Sequence, residues 1–296
     1  MKHVIIMPAR NEADYIGKTL ATLLTQTQPP DRIVVVDDGS TDGTVAIVQE
    51  IARSHPAVSI VRGPPSAERR YRVVEVFNRG YETIKDEPCE YVSKIDADLL
   101  FPPDYFRRLF EVMDADPSIG AAGGVACDVI GGRPMPIRIP ETHVSGALKT
   151  IRRSVFDAMG GFVPTLGWDI IDAVKIRMLG YRTLSLPDLW VTHLRRHGSA
   201  TGIIRGNIRM GHGAYVIGTH PIFALARSFY RMLEPPYVIG GLALGYGYFK
   251  SWSLRAPQIQ DKALIAALRA EQLHRLLHRN KLPKQLIAAK RPLAQG

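Results

Sequence analysis

Tyr91-Val92-Ser93-Lys94-Ile95-Asp96-Ala97-Asp98 decides how this chain folds: an apolar, β-favouring run ends in two carboxylates one residue apart. In an open α/β sheet, ligands sit beyond the carboxyl ends of the strands, so an acidic pair where a strand runs out lies where such a sheet does its chemistry. Taken alone, an Asp-x-Asp can equally cap the helix that Pro102-Pro103-Asp104 opens, and spacing does not separate the two readings. Two upstream runs end in the same manner. Val4-Ile5-Ile6-Met7 stops at Pro8-Ala9-Arg10-Asn11-Glu12. Ile33-Val34-Val35-Val36 runs into Asp37-Asp38-Gly39-Ser40-Thr41-Asp42-Gly43-Thr44, a loop dense in oxygen ligands and turn formers.

Helical periods fill the intervals. Ile16, Leu20, Leu23 and Leu24 follow Asn11, a good N-cap; Val45 to Ile51 reads as a second helix and Val58-Ser59-Ile60-Val61 as a third strand. This alternation predicts a parallel, right-handed wound sheet. If the three strands lie side by side, the two loops and the acidic pair converge on one edge. The first strand is not followed by Gly-x-Gly-x-x-Gly, which disfavours a dinucleotide; positive charge for a phosphate is expected from a metal held by the acidic pair.

With 296 residues and 46% hydrophobic content, a sizeable core is affordable. Cys89 and Cys127 lie far apart in no metal-like spacing and read as buried thiols of a reducing compartment. The opening Met1-Lys2-His3 passes straight into a strand, so a cytosolic protein is expected. Charge is split. Residues 1–194 hold 22 Lys/Arg against 25 Asp/Glu, whereas residues 195–296 hold 16 against 3. A basic final third suits an anionic membrane surface, where each Lys or Arg contributes about 1 kcal/mol; the alternative is a merely solvated basic face.

Pro8-Ala9-Arg10-Asn11-Glu12, Asp37-Asp38-Gly39-Ser40-Thr41-Asp42 and Asp96-Ala97-Asp98, in that order, resemble the family 2 glycosyltransferases of the GT-A fold. The resemblance covers about residues 1–200 and continues in Gly146-Ala147-Leu148-Lys149, Arg152-Arg153, Gly160-Gly161-Phe162 and Trp168-Asp169. It implies a Rossmann-like, mostly parallel α/β sheet and inverting transfer from a nucleotide-diphosphate sugar, UDP foremost and GDP next, with Mn²⁺ or Mg²⁺. It also implies that Pro8, Ala9, Arg10 and Glu12 border the nucleoside, that Asp38 hydrogen-bonds the base, that Asp96 meets the ribose or the metal, and that Asp98 coordinates the metal. An ordinary Asx turn is the structural alternative for Asp38.

Inversion needs one general base on the face opposite the leaving nucleotide. Asp169, in Leu166-Gly167-Trp168-Asp169-Ile170-Ile171-Asp172, is the candidate; it opens a helix that runs to Leu179 and is closed by Gly180. The family more often carries Glu-Asp there, so Asp172 competes, and either acid could serve only as a cap. Trp168 stacks on a sugar or packs in the core. His193 ends the strand-like Leu189-Trp190-Val191-Thr192-His193; in some relatives a histidine there completes the metal site, and a structural role is the alternative. His143 is an acceptor-side candidate. Arg72, Lys94, Arg152 and Arg153 are candidates for phosphate contacts.

Beyond about Gly198 the alternation ceases, and residues 201–296 read as a helical, basic C-terminal region. Ile203 to Ile217 and Phe223 to Leu233 are helical, and Pro235-Pro236 breaks the chain. Tyr237 to Phe249 is apolar but shorter than the roughly 20 residues of a membrane span. Flanked by Arg227, Arg231, Lys250 and Trp252, it suits an interfacial or re-entrant segment, with a buried hairpin core as the alternative. Ile259 to Leu277 is an amphipathic helix, followed by a basic tail from Arg279. Gln272-Leu273-His274-Arg275-Leu276 superficially resembles the acceptor helix of processive synthases.

The expected function is metal-dependent inverting glycosyl transfer to a lipid-linked or surface-polysaccharide acceptor, peripheral on the inner face of the cell membrane. No nucleic acid is expected as a partner, and a homo-oligomer stays open. A polyprenyl-phosphate acceptor is the nearest alternative; a non-catalytic membrane- or polyanion-binding module is the alternative from another class, disfavoured by intact Asp96, Asp98 and Asp169.

Overall fold

A computed structural model describes residues 2–64, 72–130, 133–137, 139–195 and 202–278. Arg69-Arg70-Tyr71, the change of character near Gly198 and the tail from Arg279 lie outside the described residues. The first half alternates as expected: β1 (His3–Ala9), α1 (Ile16–Leu24), β2 (Arg32–Asp37), α2 (Thr44–Ser54), β3 (Val58–Arg62), α3 (Arg72–Glu82) and β4 (Tyr91–Ile95). After it come β5 (Leu99–Leu100), α4 (Tyr105–Ala115), β6 (Ile119–Ile130), β7 (Arg133–Pro136), β8 (Leu148–Arg152), α5 (Arg153–Ala158), α6 (Trp168–Met178) and β9 (Arg182–His193).

The strands form one sheet in the order β3-β2-β1-β4-β8-β6-β9-β5, with β7 paired to β6. β3, β2, β1 and β4 are mutually parallel, so their carboxyl ends share an edge; β8 then runs antiparallel to both β4 and β6, and β9 is parallel to β6. Alternating residues bury the two faces. Ile5, Met7, Ile33 and Val35 pack under α1, α2 and α4 through Leu20, Leu23, Val48, Phe106 and Phe110. Val4, Ile6, Val34 and Val36 pack under α3, α5 and α6 through Val74, Phe77, Phe156 and Ile176. That double burial explains runs of apolar residues with no polar alternation.

Two local expectations change. β1 does not stop before Pro8 but runs to Ala9, paired with β2 up to Ala9 and Asp37. On its other side the pairing with β4 ends earlier, at Ile6 and Lys94. The Ala9 carbonyl accepts from Asp38 N–H on the β2 side (3.0 Å), so Pro8, one residue back, turns its missing N–H toward the side where the ladder has already ended. Asn11 is also not the cap of α1. Its φ is 53° and Tyr15 holds the cap position, because the Asn11 side chain is used elsewhere.

Four helices follow the sheet: α7 (Ile203–Val216), α8 (Pro221–Arg231), α9 (Ile239–Ser253) and α10 (Lys262–Leu277). α7 and α9 approach so closely that a Cβ on Gly211 would lie 2.0 Å from the Leu244 carbonyl oxygen, and one on Gly247 would lie 2.1 Å from that of Ile208. α10 is tied to α6 by a bidentate ion pair: Arg177 Nε and Nη2 each donate to Glu271 at 2.8 Å, and both residues are buried. Among the described residues no helix is long and apolar enough to cross a membrane.

Beneath the sheet, His3 is enclosed against Phe106 and Phe110, and its Nε2 shares a hydrogen bond with Ser93 Oγ (2.7 Å), which in turn meets Thr150 Oγ1 (2.7 Å). Burial holds its pKa down at about 3, against an ordinary 6.5. The unfolded chain therefore binds a proton that the fold refuses, and stability present above pH 6.5 is lost as pH falls toward 3. Urea unfolding midpoints should drop across that window by an amount worth up to about 5 kcal/mol. His3→Met should be less stable at pH 7.5 but show a shallower acid slope.

Candidate active site at the carboxyl edge of the sheet

The loops after β1 and β2 are joined by hydrogen bonds. Asn11 N–H donates to Ser40 Oγ (3.0 Å) and Thr41 N–H donates to Asn11 Oδ1 (2.8 Å). Glu12 N–H donates to Thr44 Oγ1 (2.8 Å), and Asp42 accepts from Ala13 N–H (3.1 Å) and Thr44 N–H (3.0 Å). The Asx turn in this loop belongs to Asp37, which accepts from the N–H groups of Gly39 (3.2 Å) and Ser40 (3.1 Å). Asp38, by contrast, is a buried carboxylate facing Arg10 Nη1 at 3.8 Å. Pro8, Ala9, Arg10, Glu12 and Asp38 thus gather at the carboxyl edge of β1 and β2, beside the crevice left where β1 and β4 stop pairing.

Asp96 and Asp98 occupy the next strand end, as the parallel order requires. Neither caps α4, which Asp104 precedes. Asp98 Oδ2 lies 3.5 Å from His193 Nε2, because β5 and β9 pair Leu99 with His193. On its far side His193 Nδ1 faces Asp128 Oδ1 at 3.8 Å, its register partner on β6. Burial raises the Asp98 pKa, but hydrogen bonding and charge from His193, with Arg195, outweigh it and leave the carboxyl below its usual value. Burial would lower His193; Asp98, Asp96 and Asp128 instead hold it above its ordinary value. Asp96 is turned onto the buried Lys94 ammonium.

Arg195 reaches back across the crevice. Its Nη2 bonds Glu12 Oε2 (2.5 Å), its Nε lies 3.9 Å from Asp98 Oδ2, and its guanidinium covers the Tyr15 ring at 5.2 Å. Burial pushes Glu12 up to about 7; Arg195 opposes that, and the charges of Asp98, Asp96 and Asp42 add to it.

The opposite wall is the start of α6. Asp96 N–H donates to the Ala147 carbonyl (2.8 Å), and a Cβ on neighbouring Gly146 would lie 3.5 Å from Asp169 Cβ, so the acidic pair and Asp169 flank one short segment. Asp169 is partly exposed, with His143 Nε2 3.8 Å from its Oδ2. Burial and then the Lys149 charge hold His143 down at about 4, so the imidazole is neutral at physiological pH. Asp172, the competing acid, is committed elsewhere. It is buried with Lys149 Nζ on its Oδ2 at 2.6 Å, and burial holds it up at about 6 against the pull of that ammonium. Trp168 packs on Phe162 and lies under Lys94 (5.8 Å) and Lys149 (5.3 Å), which face each other in the β4–β8 register.

Arg152 and Arg153 are not at this edge. Arg152 bonds the Ile119 carbonyl and Tyr91 hydroxyl, and Arg153 bonds Asp157 and the Glu87 carbonyl, at the amino end of β4. Arg72 starts α3, but its side chain lies outside the described residues. The sequence reading missed Arg195 and Asp128. Arg195 lies two residues past His193, close enough to have been suspected; Asp128 is invisible until β6 and β9 are paired. Gln272 is occupied with the N–H of His220 (2.9 Å), not with this site.

A wound sheet with acidic strand ends, no phosphate loop and a carboxylate facing them from a following helix is a GT-A glycosyltransferase architecture. The chain belongs to glycosyl transferase family 2: that family's profile matches residues 4–166, more than half of it. Poly-beta-1,6-N-acetyl-D-glucosamine synthase of Staphylococcus epidermidis is 28% identical over 123 residues, 40% of this chain and 27% of that protein. Succinoglycan biosynthesis protein ExoA of Rhizobium meliloti is 33% identical over 111 residues, 36% of this chain and 31% of that protein. The matched regions thus span about a third or less of those relatives. Among solved structures, the mannosyltransferase PcManGT of Pyrobaculum calidifontis, in complex with GDP-Man and Mn²⁺, superposes with a TM-score of 0.55 at 22% identity, over 97% of this chain and 85% of that one.

Lys149→Met should leave Asp172 buried without its counter-ion and destabilise the fold by about 3–5 kcal/mol in urea titration. The double change Lys149→Met with Asp172→Leu should recover most of that loss.

Proposed function

We propose that this chain transfers a sugar, with inversion, from a nucleotide-diphosphate sugar to a lipid-linked or surface-polysaccharide acceptor. The observation that carries the reading is Asp169: a partly exposed carboxylate, facing a neutral imidazole, directly across the 146–147 segment from Asp96 and Asp98. A base so placed takes the proton of an acceptor hydroxyl as it attacks the anomeric carbon, on the side away from the leaving diphosphate. The buried pairing of Asp172 with Lys149 favours Asp169 for that role.

UDP is the preferred donor nucleotide and GDP the next. Pro8, Ala9, Arg10 and Glu12 would border the nucleoside, and Asp38 would accept from a base N–H. The residues present fit a hard divalent cation. Asp98 and His193 converge, and Asp128 backs the far nitrogen of His193 as an orienting carboxylate. Among the described residues no ready cluster of three ligand side chains is formed, and Asp96 has to leave Lys94 to join. Mn²⁺ or Mg²⁺ held there would neutralise the departing diphosphate. Arg195 supplies a protein cation to the same carboxylates. Trp168, packed against Phe162, would form the floor below the sugar, and His143 would orient Asp169.

The basic composition of residues 201–296 supports a peripheral position on the anionic inner face of the cell membrane. One observation favours a polyprenyl-phosphate acceptor as the second reading. Half-buried Arg227 on α8 lies near enough to Asp169 to feel its charge, although burial still holds its pKa down. A cation beside the base, on a helix with an apolar outer face, suits a phosphate carrying a hydrocarbon tail.

Calorimetric titration with UDP and GDP, with Mn²⁺ present and then chelated, should show metal-dependent binding of one nucleotide. Asp98→Asn should abolish that dependence. Asp169→Asn should bind the nucleotide normally yet lose about 10²-fold or more in transfer rate. Unchanged transfer in Asp169→Asn, or unchanged metal dependence in Asp98→Asn, would remove the corresponding role.

A further inference from the structure

α8 and α9 each carry an apolar stripe on the side facing away from the protein. On α9 the outward stripe is Ile239, Leu242, Tyr246 and Phe249, whereas the inward side carries Gly240, Gly241, Ala243 and Gly247 together with Leu244 and Tyr248. On α8, Ile222, Leu225 and Phe229 face out at helical spacing while Ala224 and Ser228 face in. The elbow joining these helices carries strongly exposed apolar residues, Leu233 at 72% and Tyr237 at 65%, beside Tyr230 and Val238. A water-facing helix pair keeps its apolar residues against its partner and its polar ones outward; this pair buries Leu244 and Tyr248, packs closely on glycines, and still turns a second apolar stripe outward.

We propose that the α8–α9 elbow and the outer faces of both helices insert into the interfacial layer of an anionic bilayer. The inference rests on the membrane reading above and adds the element that makes contact and the force that holds it. Charge complementarity selects the occupant. Residues 202–260 hold six Lys/Arg, namely Arg205, Arg209, Arg227, Arg231, Lys250 and Arg255, against Glu234 as the one acid. Tyr230, Tyr237, Tyr246 and Trp252 provide the amphipathic aromatic residues that favour the headgroup level. The stripe is too short to cross the hydrocarbon and fits a helix pair lying in the interface, sunk about 5–10 Å. α7, which packs on α9, also reaches the start of α6: Ile217 at its end meets Gly167, just before Trp168.

The test uses the intact protein with vesicles of phosphatidylcholine, with and without phosphatidylglycerol, pelleted at about 0.1 M and about 1 M salt, where the screening length falls from about 10 to about 3 Å. The expected result is binding to the anionic vesicles that largely survives the higher salt. The double variant Leu233→Glu with Tyr237→Glu should lose about tenfold or more in partitioning. Its melting curve and its metal-dependent nucleotide binding should match the wild type, since neither residue touches the crevice. Complete release of the wild type at 1 M salt would overturn the proposal in favour of surface electrostatics alone. A wild-type dimer that ignores vesicles, and that the double variant dissolves, would assign the face to a second copy instead. Vesicle binding needs no sugar nucleotide, so its failure stays distinguishable from failure of the transferase reading.

Discussion

Burying Lys149 and Asp172 together fixes the working geometry of this protein. Each charge alone is expensive to remove from water, and attraction at 2.6 Å offsets that cost only while β8 and the first turns of α6 keep their present separation. The pair therefore acts as a distance constraint between sheet and helix. Asp169 lies one helical turn upstream, and the Lys149 ammonium also reaches its backbone carbonyl at 3.3 Å. Asp169 is thereby held at the start of α6, on the side of the acids that follow β4, by a contact buried beneath it. Trp168 completes the arrangement by placing one aromatic face under both Lys149 and its register neighbour Lys94, two like charges that would otherwise meet across adjacent strands.

Much of this was legible in the residues. Continuous apolar runs at Val4, Ile33 and Tyr91 predicted strands buried on both faces, with their endings on one edge, and the parallel order of β3, β2, β1 and β4 brings those endings together. What was not legible depends on pairings between distant segments. Asn11 reads as a helix cap by type, yet its side chain spans the gap to Thr41. Arg152 and Arg153 read as phosphate ligands by charge, yet β8 runs antiparallel and carries them to the wrong end of β4. Asp169 is the candidate base by sequence with Asp172 as its competitor, and only the structure shows that Asp172 is buried against Lys149.

The C-terminal region divides in the same way. Its helices and its break at Pro235-Pro236 could be read from periodicity, but which side of each helix faces water could not. An apolar helix rich in glycine is ambiguous in sequence, because glycine marks either flexibility or close approach. Here the near contact of Gly211 with Leu244, and of Gly247 with Ile208, shows that the small residues are the packing surface. α10 then binds this assembly to α6 through Arg177 and Glu271, so the helix bearing the candidate base is braced from the sheet on one side and from the C-terminal region on the other.

Pro8 closes the account of the crevice. β1 and β4 part company after Ile6 and Lys94, and the residue turned toward the gap has no N–H to leave unsatisfied. An ordinary residue there would present a donor inviting the strands to continue pairing, and a ligand would have to compete for that space. With proline, the opening is written into the covalent structure of the chain and is in place before any substrate arrives. Binding free energy that would be spent prying two strands apart is left available for recognition.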